Sequence, residues 1–145
     1  MARFPTVEWL DEVREAFNTH KEYHGAGGGR CNAKVGLKVG DDDFLVVFKG
    51  LECIEAREVT DADLADADFY LDMEPEEWRA MLDSIKENGH AGLDHTLNTI
   101  DLNKAPSGLA KSRDNDQYRT DLFYRYNQTL QFFFDASSKV DTQFE

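Results

Sequence analysis

Basic residues are scarce in this chain: 16 Lys and Arg stand against 29 Asp and Glu, a formal net charge of −13 over 145 residues. That balance excludes a nucleic-acid partner, because holding phosphates takes clusters of Lys and Arg. It also argues against anchoring on anionic membrane surfaces. Long apolar runs are missing, and none approaches the roughly 18 residues of a membrane span, so no stable membrane insertion is expected. The start, Met1-Ala-Arg-Phe-Pro5, lacks the apolar core of a signal peptide and leads into Glu8, Asp11 and Glu12. The expected location is cytoplasmic. Cysteine is nearly absent: Cys31 and Cys53 are no disulfide framework in a chain of this length and read as reduced strand residues.

Signatures of chemistry are missing too. There is no Gly-x-Ser-x-Gly, no Cys–His arrangement and no dinucleotide fingerprint. The cluster Gly25-Ala-Gly-Gly-Gly29 lacks a preceding strand and a Gly-Lys-Ser/Thr ending, and reads as a flexible linker. Asp61, Asp63, Asp66 and Asp68 are dense enough for a calcium loop but lack its Gly and closing Glu, which leaves a solvated loop. His20 and His24 are four apart with no third ligand at a known spacing. His90 and His95 are five apart; with Asp94 and Asp101 they hold the ingredients of an acid–base cluster but no metal spacing. No catalytic residue, metal or cofactor is expected.

What is present is a soluble domain's mixture, 41% hydrophobic and 31% charged. The whole of 1–145 forms one domain. Thr6 caps a helix over 7 to about 23, with Trp9, Leu10, Val13 and Phe17 inward. From Cys31 the period becomes two, through a hairpin turn at Gly40-Asp41-Asp42, a strand at 44–48 and a third strand at 51–59. Phe69, Leu71 and Met73 then alternate with polar neighbours, as in a half-buried strand. Pro75 starts a helix whose first turn carries Glu76 and Glu77. Trp78, Met81, Leu82 and Ile85 form that helix's single apolar face. The stretch 105–116 reads as loop. From Gln117 a long helix brings Phe123, Tyr126, Leu130, Phe133 and Phe134 to one face, with further aromatics around it. Strands joined by short turns give an antiparallel sheet with helices on one side, an α+β fold.

The apolar residues are the strongest signal. Phe69, Leu71, Trp78, Met81 and Leu82, with Phe123, Tyr126, Leu130 and Phe133, outnumber what a small sheet-plus-helix layer needs. A pocket lined by them would take an apolar ligand.

The pattern Phe4-Pro-Thr-Val-Glu-Trp9-Leu, Asn18, Tyr23, Lys49-Gly50, Glu52-Cys53, Ala56-Arg57, Ala67-Asp68-Phe69 and Pro75-Glu-Glu-Trp78 with Leu82 resembles the sterol carrier protein family, type two, in its bacterial stand-alone form, over about 4 to 86. The resemblance implies a curved, mainly antiparallel sheet of about five strands covered by helices, with a hydrophobic tunnel between them. It implies binding of sterols, fatty acids or acyl-CoA without catalytic residues. It places Phe69 and Leu71 on a tunnel-facing strand, with Trp78, Met81 and Leu82 above. The family's Gly-Lys-Leu-x-x-x-Gly-Asp segment is replaced here by Asp94-His-Thr-Leu-Asn-Thr-Ile-Asp-Leu-Asn103 and the long aromatic helix.

The expectation is therefore a non-enzymatic carrier of a sterol or steroid, a fatty acid or an acyl-CoA. Phe123, Tyr126, Leu130 and Phe133 would form lid and wall. Tyr126, Asn127 or His95 would meet the ligand's polar end. One alternative is a cofactor-free lyase, hydratase or isomerase using His95 with Asp94 or Asp101. Another is an interaction subunit whose C-terminal helix meets a second copy or a lipid-metabolising enzyme.

Overall fold

Residues 2–20, 31–92, 96–97, 99–100, 110–111 and 117–144 are described by the computed structural model. The first helix, α1 (Val7–Thr19), starts where Thr6 adopts an extended backbone and its hydroxyl accepts the Trp9 N–H at 3.1 Å. Trp9, Leu10, Val13, Ala16 and Phe17 are its buried stripe. It ends earlier than the expected residue 23. Thr19 donates its hydroxyl back to the Glu15 carbonyl at 2.8 Å, and His20 is already extended. The glycine-rich stretch that follows lies outside the described residues.

Two sheets form, and neither closes into a barrel among the described residues. In the larger, β2 (Ala33–Val39) and β3 (Asp42–Lys49) make a hairpin across Gly40-Asp41, with Gly40 at φ +62, a conformation that glycine alone adopts freely. Next comes β4 (Glu52–Glu58), which returns antiparallel at the edge with a bulge at Ile54. The next strand, β5 (Phe69–Met73), joins the other side of β2 and runs parallel to it, so the sheet is mixed, with one parallel pair beside the antiparallel ones that short turns give. The physical reason is the crossover between them. From β4 the chain must traverse the sheet before it reaches the free side of β2, and a crossing connection returns a parallel strand. The pair β6 (Ala110–Lys111) adds antiparallel to β5, inside a stretch expected to be loop, because two residues carry no readable period. The order is β4-β3-β2-β5-β6.

The crossover also corrects the solvated acidic loop. Asp61–Asp66 is a 3-10 helix capped by Thr60, whose N–H and hydroxyl both donate to the Asp63 carboxylate. Those two bonds hold Asp63 below the ordinary aspartate range. Between its acids it carries Leu64, which is buried on the back of the sheet over Gly36.

The helix α2 (Pro75–Asn88) opens at Pro75, faces Trp78, Met81, Leu82 and Ile85 inward and stops at Gly89 with φ +82. The last helix, α3 (Gln117–Asp135), runs into a 3-10 turn at Ala136–Lys139. Finally β7 (Thr142–Phe144) pairs parallel with β1 (Ala2–Phe4) as a two-stranded sheet. The Phe4–Pro5 peptide is cis. The result is an α+β architecture with three long helices among the described residues. Residues of α1, α2 and α3 share one apolar cluster with Val35, Leu37, Val46, Phe48, Phe69 and Leu71, so the helices cover a single face of the sheet. No helix among the described residues is long and apolar enough to cross a membrane.

Candidate functional site

The strand β5 alternates buried and half-buried residues, which turns Phe69, Leu71 and Met73 toward the helices. In register, Phe69 lies beside Val35 and Leu71 beside Leu37 of β2. From above, α2 lowers Trp78, Met81 and Leu82 onto this face, and the Trp78 indole N–H donates to the Lys38 carbonyl at 2.8 Å. That bond satisfies the one polar atom of an otherwise apolar side chain. The helix α3 adds Phe123, Tyr126, Leu130 and Phe133. The Phe69 and Phe123 rings meet edge to face at 6.1 Å. Phe133 lies 5.6 Å from Phe17, 5.4 Å from Phe48 and 5.3 Å from Phe134, each contact edge to face. All nine residues singled out from the sequence thus belong to one contiguous buried cluster.

None of the nine side chains is more than 9% exposed. The nine do not line the four hollows of about 180 to 390 Å³ bounded by Phe4, Glu12, Thr96 and Arg3 and their neighbours. The α3 side chains Phe123, Leu130, Phe133 and Phe134 are covered within the chain, while Leu122 and Phe132 are half-buried at its flanks.

Polar groups gather at the α3 end of the cluster. Gln131 accepts the Leu97 N–H at 2.6 Å and donates to Asp135 at 3.1 Å. Asp135 also accepts the Ala91 N–H at 3.1 Å. Burial raises the Asp135 carboxyl above its ordinary range, and these two hydrogen bonds and nearby His90 offset only part of that. Together they latch α3 to the segment that follows α2. The sequence carries this only as Gln131 and Asp135 spaced i, i+4 in an aromatic helix, and the expectation missed it. Asn127 is half-buried beside Thr96 and Gln131 in a hollow of about 180 Å³. His90 is exposed, with its Nδ1 3.0 Å from the Ala91 carbonyl oxygen. Asp94, His95 and Asp101 lie outside the described residues.

A second feature escaped the sequence reading entirely. Where β1 and β7 pair, beside the start of α2, a half-open groove of about 340 Å³ is walled by Phe4, Val39, Pro75 and Phe144. An aromatic row runs from its wall inward, Phe4 to Trp78 at 6.3 Å and Trp78 to Phe134 at 5.4 Å.

No protein-family model, curated protein or solved structure matches this chain. Among the described residues, no group of three His, Cys, Asp or Glu side chains is placed to hold a metal ion. Cys31 and Cys53 are free and buried, and burial pushes both thiols up to about 12. Neither forms a thiolate nucleophile at neutral pH.

Proposed function

We propose that this chain binds and transfers an apolar ligand (a sterol or steroid, a fatty acid or an acyl-CoA) without catalysing a reaction, in the layer between the helix-covered sheet face and α3. The observation that carries the reading is the convergence of Phe69, Leu71, Trp78, Met81, Leu82, Phe123, Tyr126, Leu130 and Phe133 from three separate elements into one apolar body. The resemblance to the type-two sterol carrier family supports it, with the curved, mainly antiparallel sheet and helical cover which that family implies. Phe123, Tyr126, Leu130 and Phe133 are its lid and wall, and a ligand enters as α3 moves away from the sheet. Gln131 and Asp135 tie the C-terminal end of α3 down through hydrogen bonds. Binding then rests on a difference: ligand against wall replaces lid against wall, at roughly 25 cal/mol per Å² of apolar area on either side.

The test is titration with a fluorescent fatty acid and a fluorescent sterol. Phe69→Ala and Tyr126→Ala should each weaken a saturable signal about tenfold, the consequence of losing one aromatic contact. Unchanged affinity in folded variants removes the site, and no saturable binding by the unaltered chain removes the function. Native mass spectrometry of the protein as purified from cells reads the same question without a chosen probe.

One observation favours a second reading, a protein-interaction subunit. Ile54 on the edge strand β4 is 52% exposed, and Leu51 in the turn before it is 41% exposed. Exposed aliphatics at a sheet edge suit contact with a second copy or a lipid-metabolising enzyme. Light scattering on the chain and on Ile54→Lys decides it: a dimer lost in the variant supports an interface at β4.

A further inference from the structure

The groove between β1, β7 and α2 has a chemistry of its own. Its walls are Phe4, Val39, Pro75 and Phe144, and its charged rim is Asp42, Glu76 and Arg79. The Arg79 guanidinium lies over the Phe144 ring, 4.8 Å from its centroid. That ring face therefore already receives a cation, which the negative face of an aromatic quadrupole attracts. The same guanidinium at the same time has its Nε 3.7 Å from the Asp83 carboxylate, one helical turn on.

An anion is poorly served at this spot. Pro75 has no N–H, and the N–H groups of Glu77 and Trp78 are spent on the Glu74 carbonyl at 2.9 and 3.1 Å. The Glu77 carboxylate takes the Glu74 N–H at 3.2 Å. Glu76 and Asp42 add negative charge at the rim, and the whole chain carries −13. The local carboxylates and the field of the molecule draw a cation, and Arg79 and the positive end of α2 oppose it.

We propose that this groove is a binding site for a small organic cation, an alkylated ammonium carrying an apolar body. The ammonium takes the face of Phe144 as Arg79 leaves the ring and keeps Asp83. The apolar body lies along Phe4, Val39 and Pro75, and Asp42 and Glu76 balance the charge. A volume of about 340 Å³ suits a ligand of one ring and a trimethylammonium group. The site is separate from the apolar layer under α3 and does not depend on it.

The test uses the full chain, titrated by NMR with benzyltrimethylammonium, with its neutral isostere neopentylbenzene, with phenylacetate and with phosphocholine. Benzyltrimethylammonium should bind saturably, with shifts at Val39, Arg79 and Phe144, and more weakly as salt rises. Asp42 is exposed, so Asp42→Asn keeps the fold and should weaken binding several-fold, on the order of one rim charge. Phe144→Leu should weaken it about tenfold. Arg79→Gln removes the competing cation and should tighten binding of benzyltrimethylammonium by a few-fold more than that of neopentylbenzene, a difference that a merely greasy slot would not show. Equal binding of the neutral isostere, preference for phenylacetate, or weaker binding in Arg79→Gln overturns the proposal. Tighter binding of phosphocholine overturns the assignment to a free cation in favour of a zwitterionic headgroup. No saturation by any of the four probes removes the site.

Discussion

Asn18 shows how a single residue can finish a sheet. Its side-chain amide donates to the Cys53 carbonyl at 2.8 Å and accepts the Cys53 N–H at 2.9 Å. It thereby imitates one residue of a neighbouring strand on the open edge of β4. An unguarded edge is a template for pairing with another chain. Asn18→Ala leaves both backbone groups of Cys53 unpaired, at a cost of about 1–3 kcal/mol in urea unfolding. An unchanged urea midpoint would show that water replaces the amide without loss. A second residue, Asp135, sets a pH dependence. Its carboxyl titrates above the ordinary value of 3.8 because it is buried. Between that ordinary value and the raised native one, the native state holds more protons than the unfolded chain, so stability falls as pH rises through that window. Asp135→Asn keeps an oxygen for the Ala91 N–H and cannot ionise. Its urea midpoint, followed from about pH 3.5 to 7, should lack that fall and gain on the unaltered chain toward neutrality. Parallel profiles for the two chains would reject the assignment. Neither residue announces itself in the sequence, since a polar residue in a helix gives no sign of the distant backbone it will meet.

At the scale of elements, what could be read was whatever repeats. The period of two in β2, β3 and β5 and the i, i+3, i+4 pattern of α2 are local consequences of which face is dry, and both survive folding unchanged. Thr6 and Pro75 mark helix starts because their chemistry acts within one turn. The burial of the nine candidate residues was legible for the same reason: each belongs to such a pattern. Pairing partners across long separations were not legible. Nothing local to Phe69–Met73 tells whether β5 lies parallel or antiparallel to β2, and β6, β1 and β7 are too short to carry a period. The acidic crossover misled because its one apolar residue, Leu64, sits among aspartates, yet it covers the back of the sheet. Gly36 makes room for it: a Cβ there would lie 2.6 Å from Leu64 Cδ2 and 2.7 Å from Tyr70 Cβ. Gly36→Val should therefore destabilise by about 1–3 kcal/mol, the range for overpacking a filled site. Leu64→Ala in that background should restore part of the loss, a coupling that a double-mutant cycle in urea measures directly. Additive effects would mean that strand geometry, and not Leu64, sets the need for glycine.

At the scale of the whole molecule, the two ends of the described chain are tied to each other. Ala2–Phe4 and Thr142–Phe144 pair in parallel, the Trp9 indole N–H donates to the Thr142 hydroxyl at 2.8 Å, and Phe144 meets the Phe4 ring at 5.9 Å. This clasp covers the α1 side of the core and makes one wall of the groove. It also splits the two tryptophans into separate reporters. The clasp supplies the acceptor for the Trp9 indole, whereas Trp78 is held by the Lys38 carbonyl and packs against Phe134. Deleting residues 142–145 exposes Phe4 and removes the partner of Trp9, which should cost about 1.5–3 kcal/mol, the burial of one large apolar side chain. Both indoles meet Phe4, but only Trp9 loses a hydrogen-bond partner with the clasp, so single-tryptophan chains made with Trp78→Phe or Trp9→Phe separate local from global loss. In the deletion, Trp9 emission should shift to the red while Trp78 emission stays blue, since water reaches the clasp before it reaches the layer between α2 and the sheet. A shift in both would make the clasp a condition for the whole fold. A shift in neither would mean that Thr142 and Phe144 rest on a surface already sealed beneath them.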